Sequence, residues 1–153
     1  MRYERFAALA LALVACGIAG GLSAADRMRA ASDGIYTDAQ AARGATRYQQ
    51  QCARCHGADL LGTFDIPSLR GTLIARWSTV PLGALHDYIG RAMPMQAPGV
   101  LSPAVNADIL AFLLKANGYK AGATELPGDT TTLSAIRLDA VGDAALTGAS
   151  RTR

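Results

Sequence analysis

Cys52-Ala53-Arg54-Cys55-His56, followed by Gly57, is the stretch on which the reading of this chain turns. Two thiols two residues apart with an imidazole directly after them have the spacing of c-type haem attachment. The chemistry explains the spacing. The sulfurs of Cys52 and Cys55 reach the two vinyl groups of one haem and form thioethers, and His56 then lies under the iron as its proximal ligand. Two other readings of the pair fit less well. A structural zinc needs about four ligands, and downstream of His56 the sequence holds one histidine, His86, and no cysteine. A thioredoxin-like dithiol opens a helix after a strand within a βαβ unit, whereas this pair follows a helical pattern with no strand pattern beside it. The candidate cofactor is one covalently bound haem c.

Working outward, Thr37 and Gln40 have capping-box spacing and open a helix expected over Asp38–Gln51. Its inner face carries Ala41, Gly44, Ala45 and Tyr48. A glycine in mid-helix costs roughly 1 kcal/mol against alanine, so Gly44 is either a tolerated glycine or the mark of a helix crossing closely there. Gly57, Gly62, Pro67 and Gly71 make residues 57–76 mostly loop. A short helix is expected over Leu82–Ala92, with Leu82, Leu85 and Ile89 on one face. Met93-Pro94-Met95-Gln96-Ala97-Pro98-Gly99 is extended or turning, because two prolines and a glycine exclude a helix. Ser102-Pro103 is an N-cap followed by proline at the first helical position. The last helix then runs from Pro103 to about Ala116, with Val105, Ile109, Phe112 and Leu113 at helical spacing, and Asn117-Gly118 ends it. The fold class is all-α.

A low-spin haem needs a ligand on its second face, and the downstream candidates are Met93, Met95 and His86. Met93 and Met95 share the stiff loop between two helices, and spacing alone does not separate them. His86 is offset from the apolar stripe of its helix and reads as a solvated surface histidine. A thioether is a soft, neutral donor that favours ferrous iron and a raised potential, which points to electron transfer. Trp77, the one tryptophan, and Arg76 are candidate haem-pocket residues whose N–H groups suit a propionate; the alternative places Trp77 in the core and Arg76 on the surface.

The chain resembles a class I c-type cytochrome over about residues 38–118. The resemblance rests on Gly44 and Tyr48 in a first helix, Cys52-x-x-Cys55-His56-Gly57, Pro67-x-Leu69-x-Gly71, and Met93-Pro94 before a final helix. It is more specifically similar to the small cytochromes that serve periplasmic quinoprotein alcohol dehydrogenases. Three segments carry that similarity: Ala75-Arg76-Trp77, Met93-Pro94-x-x-Ala97-Pro98-Gly99-x-Leu101-Ser102, and the run from Ile109 to Tyr119. The resemblance implies three to four helices around one haem. It implies Met93 rather than Met95 as distal ligand, and a Pro67 carbonyl accepting from the second ring nitrogen of His56, which fixes its tautomer. One departure is visible: Pro103-Ala104-Val105-Asn106 stand where acidic residues usually follow the serine.

Composition agrees with a small exported domain. The chain has 153 residues, 50% apolar, 18% charged and only 6% aromatic, which excludes a wholly disordered or collagen-like chain. A haem would fill the core that so few aromatics leave small. The formal charge of +3 is scattered, so no basic arm suggests nucleic acid. Cys16, Cys52 and Cys55 are too few for a disulfide scaffold. Residues 1–25 read as a signal: Arg2 and Arg5, then Phe6 to Ala15 uninterruptedly apolar, then Ser23-Ala24-Ala25. Three processing routes remain open, namely cleavage after Ala25, lipidation of Cys16 in a Leu13-Val14-Ala15-Cys16-Gly17 lipobox, and an uncleaved anchor tethering the chain to the membrane. Each places the folded part in the periplasm. Cleavage removes Arg2, Glu4 and Arg5 and leaves 13 basic and 11 acidic side chains, a formal +2.

The expected organisation is a signal over 1–25, a linker over 26–36, a cytochrome c domain over 37–120, and an extended, partly disordered tail over 121–153. Within that tail Leu126, Leu133, Ile136 and Leu138 are candidates to pack back on the domain. The expected function is single-electron transfer and not enzymatic catalysis. Electrons would come from a periplasmic dehydrogenase, a quinoprotein among the candidates, and pass to a terminal oxidase or another cytochrome of the respiratory chain. The alternatives are a haem enzyme or gas sensor with an exchangeable distal site, and a cytochrome subunit held in a dehydrogenase complex.

Overall fold

Six short helices carry nearly all the regular structure of the computed structural model, which describes residues 28–139. The segment read as a signal, with Cys16 and Ala25, and the tail beyond residue 139 lie outside the described residues. The chain order is β1 (Arg29–Ala30), a 3-10 turn, α1 (Asp38–Gln51), α2 (Ala53–His56), α3 (Thr72–Trp77), α4 (Leu82–Ala92), α5 (Pro103–Ala116), α6 (Thr130–Leu133) and β2 (Ile136–Arg137).

The main helices begin where their caps lie. The Thr37 hydroxyl accepts from the Gln40 N–H at 3.1 Å, and the Ser102 hydroxyl accepts from the Val105 N–H at 3.3 Å, with Pro103 at the first helical position. The reciprocal half of the expected capping box is not made. The Gln40 side chain is buried and instead pairs with the backbone of Leu126, donating to its carbonyl at 3.0 Å and accepting from its N–H at 2.8 Å. That pairing across 86 residues satisfies two buried polar groups at once.

The α1–α5 packing makes the frame. An ideal Cβ on Gly44 would stand 1.8 Å from the Asp108 carbonyl oxygen, so the mid-helix glycine marks a close crossing. Beside it the Tyr48 and Phe112 rings stack at 5.1 Å. Arg43–Asp108 and Lys115–Asp38 pairs flank the crossing; the exposed Lys115–Asp38 pair contributes little, whereas Arg43 holds the half-buried Asp108 through two nitrogens.

The sequence-based division of the chain differs from the structure at both ends. Residues 28–36, read as linker, place Ala31, Ile35 and Tyr36 in the core. Leu126, Leu133, Ile136 and Leu138 are all buried. The two end segments meet in a parallel β1–β2 pair, Arg29 with Ile136 and Ala30 with Arg137. A two-residue strand is too short to show periodicity in sequence. The Tyr36 hydroxyl donates to the Tyr119 carbonyl, and the Asp129 carboxylate caps α6 by accepting from the Thr132 N–H at 2.7 Å. α6 lies on α4 so closely that a Cβ on Gly83 would meet the Thr130 carbonyl at 2.6 Å. The folded unit therefore extends across residues 28–139, beyond the expected 37–120. Leu133 is fully buried in this belt, so Leu133→Ala is expected to cost about 2–5 kcal/mol, read by chemical denaturation of the folded protein. A loss below about 0.5 kcal/mol, the usual range for surface substitutions, would show that the belt is not part of the cooperative unit.

Candidate cofactor site

α1 ends at Gln51, and the chain turns through Cys52 directly into α2, whose first carbonyl at Ala53 accepts from the Gly57 N–H at 2.9 Å. This single-turn helix presents Cys52, Cys55 and His56 to a cavity of about 480 Å³. The Tyr48 hydroxyl fixes the end of the turn by donating to the Gly57 carbonyl at 2.7 Å. Burial pushes that hydroxyl up to about 12, so it remains a neutral donor.

The chemistry of the donors decides between the readings of the pair. Cys52 and Cys55 are not disulfide-bonded. Burial first, and the neighbouring Cys55 second, push the Cys52 thiol up to about 11. A redox dithiol needs the opposite shift. Among the described residues no three His, Cys, Asp or Glu side chains stand together as a metal cluster, so zinc lacks its ligands. The walls of the cavity are mainly apolar, with Leu69, Leu73, Leu85, Ile89, Ile109 and Leu113 among them. A volume of this size is that of a cofactor site. Two free thiols, an imidazole and apolar walls fit a haem bound by thioethers.

The Pro67 carbonyl accepts from Nδ1 of His56 at 3.2 Å. A carbonyl has no proton to give, so Nδ1 carries the hydrogen and Nε2 keeps its lone pair. A ring held in this way is oriented, and its donor nitrogen is more basic. Met93 ends α4 in extended backbone, with a cis peptide to Pro94. It borders the same cavity and packs against the core. Met95 also borders the cavity but is 64% exposed.

His86 is not the surface histidine expected. It is 3% exposed, stands outside the cavity, and its Nε2 donates to the Pro103 carbonyl at 3.0 Å. The physical reason is the returning segment 119–139, whose α6 covers that side of α4. Arg76 and Trp77 both border the cavity; Arg76 is exposed, while Trp77 is half-buried and packs its ring 5.2 Å from Tyr88. Trp77 thus serves core and cavity wall together. Sequence reasoning missed Tyr88, Thr72 and Gln96 on the cavity wall, and the contacts that the buried Asn117 carboxamide makes to Leu69 and Gly71. No pattern marks the first three. Asn117 was legible only as a helix terminator.

Residues 39–113 match a family model described as cytochrome C oxidase, cbb3-type, subunit III. The matched segment begins one residue inside α1, ends within α5, and contains every residue assigned above to the cavity wall. No curated protein and no solved structure compared with the chain matches it.

Proposed function

With residues 39–113 a c-type cytochrome domain that holds haem c covalently, we propose that the chain is a periplasmic one-electron carrier using His56 and Met93 as axial ligands. The observation that carries this reading is one cavity bordered together by Cys52, Cys55, His56 and Met93. Bound there, the haem supplies the one-electron couple of its iron. The chain supplies everything else. Cys52 and Cys55 fix the group at one edge of the cavity. His56 offers Nε2 while its Nδ1–H is held by Pro67. Met93 offers a neutral sulfur from a loop braced by α4 and α5. Apolar walls keep water out and favour the state of lower charge. Because both ligands stand on packed elements, the two valence states need little rearrangement.

Electrons would arrive from a periplasmic dehydrogenase, a quinoprotein being the class that the sequence resemblance suggests, and leave to a terminal oxidase or another cytochrome. Such encounters bury less than about 1,200 Å². The exported location rests on the leader at 1–25. No helix among the described residues is long and apolar enough to cross a membrane.

The test is expression of the full chain in a periplasm competent for haem maturation. The mature mass is expected to show one added haem together with the processing point, whether Ala25 or an acylated Cys16. The ferric spectrum should carry the weak far-red sulfur-to-iron band, and the ferrous protein should take up carbon monoxide only slowly. A colourless protein would refute haem attachment. Rapid carbon monoxide uptake would favour an enzyme or gas sensor with an open distal site. Stoichiometric co-purification with a dehydrogenase would make it a resident subunit and not a free carrier.

A further inference from the structure

Asn117 is placed to do more than end a helix. Backbone groups already close the last turn of α5: the Asn117 N–H donates to the Leu113 and Leu114 carbonyls, and the Gly118 N–H to the Lys115 carbonyl. Gly118 supplies the left-handed turn with φ of 86°. The carboxamide of Asn117, 2% exposed, reaches beyond the cap as well. Its Nδ2 donates to the Leu69 and Leu113 carbonyls, both at 2.8 Å, and its Oδ1 accepts from the Gly71 N–H at 2.7 Å. One side chain thus grips the loop on both sides of Arg70, two and four residues beyond Pro67.

We propose that Asn117 is a positioning residue for His56, acting through the Pro67 carbonyl. The inference deepens the reading above and rests on His56 being the proximal ligand. Pro67 has no N–H of its own to anchor it. On the near side the loop is tied to Leu60, whose carbonyl accepts from the Leu69 N–H at 2.8 Å and the Ser68 hydroxyl at 3.3 Å. On the far side it is tied to α5, by Asn117 and by an exposed Arg70 contact to the Ala116 carbonyl at 3.3 Å. α5 packs on α1, and α1 leads directly into Cys52–His56. Asn117 therefore binds the carbonyl's loop to the same frame that carries the imidazole and, together with the Thr63 N–H bond to the Ile66 carbonyl at 2.9 Å, holds the Nδ1 to oxygen separation. Removing the carboxamide takes the partner from the part-buried Gly71 N–H and Leu69 carbonyl, while the Leu113 carbonyl keeps the Asn117 N–H; unpaired groups of this kind are costly. The loop then resettles, and the Pro67 contact lengthens. A histidine that loses its carbonyl partner is a weaker donor, so ferric iron is less stabilised and the reduction potential rises.

The experiment compares the haem-loaded full chain with its Asn117→Ala variant. The expected result is a retained far-red band, a higher reduction potential, and exchange of the His56 Nδ1 proton measurably faster than in the wild type. A folded, haem-loaded variant with the potential and exchange rate of the wild type would overturn the proposal and leave Asn117 a structural cap. Should the variant not accumulate, hydrogen exchange in the wild type under rising denaturant decides. The His56 Nδ1 proton and the Gly71 amide are expected to exchange through one shared opening, and separate openings would overturn the coupling. Failure of the ligation reading is visible separately, as a missing haem or missing far-red band in the wild type itself.

Discussion

Met93→Ala is expected to keep the haem on Cys52 and Cys55 while abolishing the far-red band and accelerating carbon monoxide and cyanide binding by orders of magnitude. Of the two methionines that border the cavity, Met93 is the one packed against the core. Alanine leaves no atom able to reach the iron, and an exogenous ligand or water would take the position. The reduction potential should fall, because a neutral sulfur ligand favours the ferrous state. Met95→Ala is the control. Met95 borders the same cavity, yet it is 64% exposed, and its variant should retain the band and the slow ligand uptake. If Met95→Ala loses the band and Met93→Ala keeps it, the assignment of the two methionines is reversed. Because Met93 also touches the core, the variant's far-UV spectrum should be recorded beside its visible one; an intact helical signal with a lost band isolates the ligand effect.

The contrast between these methionines shows where sequence is informative and where it stops. Local geometry was legible. Cys52, Cys55 and His56 are one helical turn, so their spacing is their geometry. Helix starts at Thr37 and Ser102 were legible because a cap is a local event, and the Met93–Gly99 stretch was legible because proline and glycine act on their own backbone. Spacing did not separate Met93 from Met95, since which of two neighbouring side chains packs inward depends on elements far away in the chain. His86 failed for the same reason. Its own helix gives it an outward position, and only a segment some forty residues later covers it. Gln40 looked like half of a capping box, and a buried backbone at Leu126 claimed it instead. The unexpected folding of residues 28–36 has a further cause: a two-residue strand pair and a few buried side chains leave no periodicity in either segment, only in their meeting.

At Gly44 a sequence hint concerned a distant contact, and it supports a quantitative expectation. Two effects oppose each other in Gly44→Ala. Helix propensity favours alanine by roughly 1 kcal/mol. Against that, the new Cβ would lie 1.8 Å from the Asp108 carbonyl oxygen and 2.5 Å from its carbon. Both atoms are backbone, so no rotamer change relieves the overlap, and the helices must separate. Overpacking of this kind costs typically about 1–3 kcal/mol and at times more. Separation would also loosen the Tyr48–Phe112 stack and the Arg43–Asp108 pair beside it. A net loss of about 2 kcal/mol or more is expected for Gly44→Ala in denaturant unfolding of the haem-loaded protein. Gly44→Val, which adds two methyl groups and a β-branch, should lose the cooperative transition altogether, given total stabilities of about 5–15 kcal/mol for domains. Gly90→Ala is the matched control: its Cβ would meet only the Asn106 amide nitrogen, at 2.9 Å, the far end of a side chain that can shift. It should change stability by less than about 1 kcal/mol, because propensity gain and minor adjustment offset each other. Equal stabilities for Gly44→Ala and the wild type would mean that α1 and α5 do not cross at backbone contact, and with that the frame that brings Cys52, His56 and Asn117 together would have to be redrawn.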